Sequence, residues 1–567
     1  MQKRIISPTF GYAGNNLEWI RNMADYSELS VLIVDPNPGM RGSLHNMLNQ
    51  CEITRIEYAV GSGTAIRQLS RRQFDIVLCE YDLGNGSENN GQDGQQLLED
   101  LRHHRLIPPW CIFMMITSEG VYSRVIGAVE LAPTDYVLKP FTVDALLQRI
   151  RRAVERRDVF WPVYQHVAAG NIRKAITGCK EGEQANPRYA TDYARLRAEL
   201  LVSIDDLVEA EFVYQAILLT RPTAWAKLGL ARCQFGLGKL VEAQQTLTDL
   251  LQQHTTFMAA YDLLARTLQA LGQQQSAKKV LEDAVDISPH MVRRLRHLGE
   301  VAFATGDVGV AERAFKQVVT KAKYSEFRDP EDHVKLVKTL VKKGDAYQAG
   351  GVIRDMERSL RNNANTDTCR AIAAGMVQQM AGNMTAAAAE LTTAVNGMAN
   401  TRGLSSELKL DLIQSCLNVK LDQQASSVML DLMNDDDSGV SMDDAVEVFE
   451  KAGRHDLAQG MGEQIKMQVG ELLAHAAQKS TEGDLRAAVD TLNAGLRKAP
   501  ANMALLPAAA SAILRQLDDM GWEAPLAEQA AYLLERMRKI DAHHPALDAL
   551  LAQYHHTQRK YGIATSA

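Results

Sequence analysis

The sequence predicts two folds in one chain: an α/β domain with a parallel sheet up to about residue 155, and an all-helical repeat region after it. Short apolar segments of strand character alternate with helical segments over residues 29–155. Beyond that point the strand segments give way to a helical pattern with a period of 34 residues. The chain of 567 residues also exceeds what a single hydrophobic core supports, so more than one unit is expected.

Composition narrows the class of protein before any motif is considered. The chain carries 62 basic and 69 acidic residues, a net charge of −7, which disfavours bulk binding to nucleic acid. Its seven cysteines are scattered and form no CxxC pair, which indicates a reducing compartment. No uncharged apolar run approaches the ~18 residues of a membrane helix, and the first residues lack the apolar core of a signal peptide. We therefore expect a cytoplasmic protein that binds neither nucleic acid nor membranes.

Five short segments of the first domain have the character of buried parallel strands. These segments are 31–34, 56–60, 74–79, 111–116 and 135–138, and helical stretches near 40–49, 64–71, 93–103, 121–131 and 142–155 lie between or after them. Apolar runs without alternation indicate strands that are covered on both faces. Five strands and five helices in this order suit a flavodoxin-like (βα)5 sheet, whose functional edge lies beyond the carboxyl ends of its strands.

The ends of four predicted strands carry polar residues in a defined order. They are Asp35 after the first strand, Glu80 and Asp82 at the third, Thr117 at the fourth, and Tyr136 and Lys139 at the fifth. With these motifs, residues 29–155 resemble the receiver domain of two-component response regulators. The resemblance implies that Glu80 stands at the phosphoacceptor position, that Lys139 binds phosphate, and that Thr117 and Tyr136 are switch residues.

The chemistry departs from the family pattern at two positions. Receiver domains carry an acidic pair after the first strand, of which the second acid binds Mg²⁺, but here the pair reads Asp35-Pro36. The acceptor position, expected to be Asp, is Glu80, whose extra methylene displaces the carboxylate by more than ~1 Å. Phosphoryl transfer depends on positioning and on neutralisation by metal, so both changes weaken it. We expect no cofactor, and any binding of Mg²⁺ by Asp35, Glu80 and Asp82 is expected to be weak.

Three interpretations of this pocket stay open. In the first, Glu80 reaches toward Lys139 and Thr117 as an aspartyl phosphate would, and holds the domain in an active-like state without phosphate. In the second, Asp35, Glu80 and Asp82 still bind a cation, and Glu80 or Asp82 is phosphorylated. In the third, Glu80 and Lys139 form only a structural ion pair. The departures from the family pattern favour a receiver that no longer needs phosphate.

After residue 155 a glycine precedes an alanine by five residues eight times in near-constant phase. The pairs are Gly170 and Ala175, Gly238 and Ala243, Gly272 and Ala277, Gly306 and Ala311, Gly344 and Ala349, Gly382 and Ala387, Gly453 and Ala458, and Gly483 and Ala488. Glycine permits a tight turn between two helices, and alanine lets the helices approach closely. The pattern resembles tetratricopeptide repeats, about ten over residues 156–502, with an atypical capping end at 503–567. Two units lack the glycine but keep Ala210 and Ala425 in phase.

The resemblance to tetratricopeptide repeats implies a superhelical solenoid whose first helices line a concave, protein-binding groove. The side chains predicted to face this groove are Trp225, Arg232, Arg266, Arg293, Arg296, Lys335, Lys338 and Lys342. A basic groove in an acidic chain favours an acidic partner segment. The alternative, that these residues are solvated faces of helices, stays open.

The motifs together predict a signalling protein without enzymatic activity. The chain contains no GxxxxGK[ST], HExxH or GxSxG motif and no DNA-binding or second-messenger module. We predict a bacterial-type two-component adaptor whose repeats bind a protein partner, such as a histidine kinase or a protein with an acidic segment. In the alternative, a phosphorelay response regulator, phosphorylation by a histidine kinase controls binding by the repeats. Residues 1–28 form an N-terminal extension that either packs on the receiver or supports dimerisation, and a homodimer through the receiver domain stays open.

Overall fold

The computed structural model describes residues 26–84, 93–118, 133–289, 291–322, 328–401, 403–435, 440, 442–499, 502–541 and 544–562. The helix predicted at 121–131 lies outside the described residues, as does the N-terminal extension apart from residues 26–28. The described residues divide into two compact units, one up to Asp345 and one from Ala346 onward, and each is described by itself.

The first unit begins with a sheet of five parallel strands in the order β2-β1-β3-β4-β5. The strands are β1 (Ser30–Val34), β2 (Arg55–Ala59), β3 (Ile76–Glu80), β4 (Ile112–Ser118) and β5 (Asp135–Lys139). The helices described with this sheet are α1 (Pro38–Asn49), α2 (Ser62–Leu69), α3 (Gly94–His103) and α4 (Val143–Ala168). This is the predicted flavodoxin-like fold, and the prediction is confirmed.

Helices cover both faces of the sheet, because successive residues of a buried strand point to opposite sides. Leu32 of β1 and Val77 of β3 pack in one hydrophobic cluster with α2 and α3. Ile33 and Leu78, the next residues of the same strands, pack in a second cluster with α1 and α4. All four side chains are fully buried, so the strand ends that carry the polar residues are held in fixed positions.

Helix α4 runs from the sheet into the first repeat without a break. It has 26 residues and contains Pro162, whereas the sequence predicted the helix only up to about residue 155. The buried guanidinium of Arg157 contacts Asp75 Oδ1 at 3.2 Å, and the ring of Trp161 packs edge to face on Trp110. These contacts hold the α/β domain against the first repeat.

Helix pairs make up the rest of both units. The first unit continues with α5 (Ile172–Ala185), α6 (Ala190–Ser203), α7 (Leu207–Thr220), α8 (Ala224–Gly236), α9 (Leu240–Gln253), α10 (Met258–Ala270), α11 (Gln274–Ile287), α12 (Val292–Ala304), α13 (Val308–Ala322) and α14 (Pro330–Lys343). The second unit contains α15 (Ala346–Ser359), α16 (Thr366–Met380), α17 (Met384–Gly397), α18 (Ser406–Asn418), α19 (Asp422–Asn434), α20 (Met442–Lys451), α21 (His455–Thr481), α22 (Leu485–Lys498), α23 (Leu505–Met520), α24 (Ala524–Ile540) and α25 (Leu547–Lys560). Within each unit the helices pack mainly on their neighbours in sequence, which is the arrangement of a helical solenoid. Short 3₁₀ turns lie at Pro187–Tyr189 and Met398–Asn400.

The turns between paired helices have the geometry that the repeated glycines predict. All eight glycines adopt left-handed backbone, with φ from 72° to 85°, and each paired alanine is at most 5% exposed. In the two units without the glycine, Asp205 (φ 61°) and Lys420 (φ 62°) take the same turn position. Ala210 and Ala425, five residues further on, are fully buried. The turn geometry is therefore kept even where the residue that favours it is missing.

Replacing Lys420 with glycine is expected to raise the free energy of unfolding of the second unit by about 0.5–1 kcal/mol. A side chain costs about 1–2 kcal/mol in left-handed backbone, and the greater flexibility of glycine in the unfolded chain offsets part of this gain. Urea unfolding followed by circular dichroism measures the change. Gly382→Ala, at φ 78° in another turn of this unit, is the matched control and should lower the midpoint. If the urea midpoint is unchanged in both variants, the turns accommodate either residue without a change in the free energy of unfolding, and the prediction is wrong.

Candidate functional site

Four strand ends place polar side chains at one edge of the sheet. Asp35 follows β1, Glu80 ends β3, Thr117 lies near the end of β4 and Lys139 ends β5. The carboxyl ends of parallel strands meet at the same edge, which explains why residues so distant in sequence are neighbours. Asp35 is 2% exposed, Glu80 8% and Thr117 1%, so these three side chains are buried, whereas Lys139 is partly exposed.

The centre of the site is an ion pair between Glu80 Oε2 and Lys139 Nζ. The other carboxylate oxygen, Oε1, accepts a hydrogen bond from the backbone N–H of Asp82 at 3.2 Å. Because the side chain of Glu80 is only 11% exposed, the attraction is screened less than in a surface ion pair. Both oxygens of Glu80 are therefore engaged by groups of the site itself.

Asp35 is the least satisfied group of the site. Its Oδ1 accepts a hydrogen bond from the backbone N–H of Asn37 at 2.7 Å. Its Oδ2 is buried without a hydrogen-bond partner among the described residues. Burial raises the pKa of Asp35, against the lowering effects of the Asn37 N–H and of the charges on Lys139 and Arg41. The protonated form of this carboxyl is thus favoured more than in a solvated aspartate.

The two predicted switch residues lie at the site but have other neighbours. The hydroxyl of Thr117 donates to the carbonyl oxygen of Ser118 at 3.4 Å and not to Glu80. Tyr136 is partly buried and packs against the hydrophobic cluster that contains α3. The structure therefore brings Glu80 and Lys139 together, as the first and third interpretations require, but does not join Thr117 to them.

The donor set does not fit a Mg²⁺ site. Glu80 is engaged by Lys139, and the exposed Asp82 accepts a hydrogen bond from the backbone N–H of Gly84 at 2.9 Å. Pro36 offers no side-chain ligand where the receiver pattern has an acid. Across the described ranges, no group of three or more metal-ligating side chains occurs.

Some of the basic side chains predicted for the groove are paired with acids from the repeats. Arg296 forms two hydrogen bonds with the carboxylate of Asp332, at 2.6 and 2.8 Å, and Lys335 forms an ion pair with Glu300. Arg293 Nη2 lies 4.0 Å from a carboxylate oxygen on α10. The net positive charge of this surface is therefore lower than the sequence prediction implies.

Aromatic rings hold most of the remaining predicted groove residues. Arg266 lies over the ring of Phe235 at 5.2 Å, and Lys338 and Lys342 lie over the ring of Phe303 at 4.9 and 4.4 Å. Such cation–π contacts leave the charge accessible while they fix the side chain.

The other two predicted groove residues differ from each other in exposure. Trp225 is partly buried in the core of the first repeats, with the guanidinium of Arg195 4.9 Å above its ring. Arg232 is exposed on the same helix, α8.

One contact was missed by the sequence analysis. Helix α3 of the α/β domain lies against the repeats, where Gln96 Nε2 donates to Ser288 Oγ at 3.3 Å. The signal in the sequence is weak, since Gln96 and Ser288 are separated by 192 residues and neither belongs to a motif.

The fold and the site together define a receiver-type domain joined to helical repeats. Residues 31–151 match the family model of the response regulator receiver domain, so the N-terminal domain is a receiver domain. Within the described part of the chain, no helix is both long and apolar enough to cross a membrane.

Two chemotaxis proteins are similar to a stretch of this chain that has about the length of the receiver domain. The chemotaxis protein CheY-3 of Vibrio cholerae is 27% identical over 128 residues, which cover 23% of this chain and 93% of that protein. The chemotaxis protein CheY of Pseudomonas aeruginosa is also 27% identical over 128 residues, which cover 23% of this chain and 98% of that protein.

Solved structures of repeat proteins are similar to parts of this chain. A tetratricopeptide repeat protein from Parabacteroides merdae matches with a TM-score of 0.36 and 16% identity, over 47% of this chain and 98% of that one. The C-terminal part of a repeat protein from Cytophaga hutchinsonii matches with a TM-score of 0.30 and 15% identity, over 41% of this chain and 92% of that one. Since both TM-scores are below 0.5, the repeat fold rests on the helix pairs and turn glycines described above.

Proposed function

We propose that this chain is a signalling adaptor in which the receiver domain acts without phosphorylation and the repeats bind a protein partner. The observation that carries the proposal is the ion pair of Glu80 with Lys139 at the phosphoacceptor position. Lys139 is the residue that would bind a phosphoryl group, and its charge is already neutralised by the carboxylate of Glu80 at the end of β3. Glu80 thus supplies a permanent negative charge where a phosphorylated receiver acquires a transient one.

The partner in this proposal is a protein, and neither nucleic acid nor a membrane. The groove residues Arg266 and Lys342 support an acidic partner segment, because each lies over an aromatic ring in a contact that leaves its charge accessible. A histidine kinase or another signalling protein of a two-component pathway is the proposed class of partner. We also propose that the chain works in the cytoplasm and is not an enzyme. Seven free cysteines, six of them buried, support a reducing compartment.

One observation favours the alternative, a receiver that is phosphorylated by a histidine kinase and thereby controls the repeats. The buried Oδ2 of Asp35 has no hydrogen-bond partner in the described part of the chain. A cation would satisfy such an oxygen, and phosphoryl transfer to Glu80 or Asp82 would need that cation.

Acetyl phosphate with Mg²⁺ is expected to leave the wild-type chain unmodified, as measured by intact-mass spectrometry. Glu80→Asp shortens the side chain and should break the ion pair with Lys139, so this variant is expected to gain one phosphoryl group. The double variant Glu80→Asp/Lys139→Ala is the control and should gain none, because the phosphate-binding cation is then missing.

The outcomes separate the interpretations of the site. Phosphate on the wild-type chain, lost in Glu80→Ala or Asp82→Ala, would contradict the proposal and support the phosphorelay alternative. If neither the wild type nor Glu80→Asp is modified, the pocket is inactive and Glu80–Lys139 is a structural ion pair.

A further inference from the structure

One face of receiver helix α3 is turned toward the repeats. Gln96, Glu99 and His103 are three and four residues apart, so they form a single stripe along the helix. Gln96 bonds Ser288, which directly follows α11. Burial and the charge of Arg293 of α12 lower the pKa of His103, the last residue of the stripe. The stripe is therefore bonded to the repeats at the end of α11 and interacts electrostatically with α12.

The middle of the stripe meets two arginines. Burial raises the pKa of Glu99 to about 7, against the lowering effects of Arg294 and Arg293 of α12, and with a smaller raising effect of Asp262 of α10. Asp262 is already bonded twice by Arg294, at 2.8 and 3.0 Å. The two arginines therefore favour the ionised form of Glu99, while its burial favours the protonated form.

Arg293 is the partner that is open to the receiver. Its side chain is 41% exposed, whereas that of Arg294 is 1% exposed and committed to Asp262. Arg293 was also one of the residues predicted to face an acidic partner. Glu99 of α3 is an acidic group from outside the repeats that interacts electrostatically with it.

Helix α3 is also joined firmly to the site of Glu80 and Lys139. The backbone N–H of Gly94, the first residue of α3, donates to the carbonyl oxygen of Tyr81 at 2.7 Å. A Cβ at Gly94 would lie 2.5 Å from the carbonyl oxygen of Glu80, so the helix starts in direct contact with the end of β3. The end of β3 at Glu80 and the start of α3 at Gly94 are therefore in direct contact.

We propose that the α3 face of Gln96, Glu99 and His103 is a built-in ligand of the repeats, which covers the basic section around Ser288 and Arg293. A partner segment that binds this section must compete with the receiver domain. The inference deepens the proposed function and rests on it for the existence of such a partner. The internal contact itself is independent of any partner and is tested without one.

Crosslinking of the full chain tests the contact. Gln96→Cys and Ser288→Cys are combined with Cys51→Ser, which removes the cysteine that is not buried. A short bismaleimide is expected to join the two new cysteines within one molecule, which gives a crosslinked monomer by mass spectrometry after digestion. Arg293→Glu in this background should lower the yield about tenfold, because two carboxylates then face each other.

Two further variants serve as controls. Lys342→Glu makes the same charge change on α14, away from Ser288, and should leave the yield unchanged. The charge exchange Glu99→Lys/Arg293→Glu should restore the yield that Arg293→Glu loses. Circular dichroism of each variant establishes that it is folded. Hydrogen exchange of α3, measured in chains without the introduced cysteines, provides a second readout. The exchange is expected to be about tenfold faster in Arg293→Glu than in the wild type.

The proposal is overturned by any of three results. They are no crosslink with the native charges, a crosslink found only between two molecules, and a yield that does not respond to Arg293→Glu. None of these results bears on whether acetyl phosphate modifies Glu80→Asp. Failure of the internal ligand is therefore distinguishable from failure of the proposed function.

Discussion

Gly94→Ala is expected to destabilise the receiver domain by about 2–3 kcal/mol, the cost of overpacking a closed site. The added methyl group would lie 2.5 Å from the carbonyl oxygen of Glu80, 2.8 Å from Met115 Sδ and 3.1 Å from Cys79 Sγ. The carbonyl oxygen of Glu80 is part of the backbone and cannot move aside as the end of a flexible side chain can. The N-terminus of α3 or the end of β3 must therefore shift to accommodate the methyl group. Hydrogen exchange of the β1 and β3 amides in the full chain measures the change as a loss of protection.

Gly42→Ala is the matched control for this prediction. Gly42 lies in α1 of the same domain, and a Cβ there has no heavy atom within 4 Å. Alanine has the higher helix propensity, so this variant is expected to raise the stability by up to about 1 kcal/mol. Equal protection in Gly94→Ala and in the wild type would show that α3 is not held against β3, and would remove the link between Glu80 and the repeats.

The sequence predicted the receiver fold well because the relevant signals are local. The third strand was expected at 74–79 and lies at Ile76–Glu80. A short continuous apolar run between polar residues is typical of a buried strand, so its position is indicated by local sequence. The turns of the repeats were equally predictable, because a glycine at a fixed distance from a small buried residue is a short-range pattern. The proximity of Glu80 and Lys139 was expected from the resemblance to receiver domains, which places both residues at the carboxyl edge of the sheet.

The contact of α3 with the repeats could not be predicted from the sequence. Gln96 and Glu99 are polar residues on a helix, and such residues are mostly solvated. Nothing local distinguishes a polar helix face that meets another domain from one that meets water. The packing of the domain on the first repeats decides it, through the continuous α4 and the contact of Arg157 with Asp75.

Arg294 illustrates the same limit within the repeats. Arg293 and Arg296, which are three residues apart and share a helix face, were predicted to face the groove. Arg294 was not among the predicted groove residues, and it lies about 100° further round the helix than Arg293. The structure buries Arg294 to 2% exposure, and the reason lies on α10, where Asp262 accepts both of its hydrogen bonds.

Arg294→Ala is expected to lower the free energy of unfolding by about 2–4 kcal/mol. The change leaves a cavity among the helices and removes both hydrogen bonds to Asp262, whose partly buried charge then keeps only Arg293 at 4.0 Å. The loss is smaller than for a fully buried pair, because the side chain of Asp262 is 25% exposed and water can reach it. Urea unfolding of the full chain, followed by circular dichroism and by hydrogen exchange of α10 and α12, measures the effect.

Arg293→Ala is the control that makes this prediction sharp. The two arginines are adjacent, belong to the same helix and approach the same carboxylate, but the side chain of Arg293 is 41% exposed and lies 4.0 Å away. Its removal is expected to cost less than about 1 kcal/mol. A larger loss for Arg293→Ala than for Arg294→Ala would contradict the assignment of the buried pair. The double variant Arg294→Met/Asp262→Leu fills the same buried volume with an apolar pair and carries no charge. If it recovers most of the stability that Arg294→Ala loses, the loss came from the carboxylate left without Arg294 and not from the absence of an ion pair.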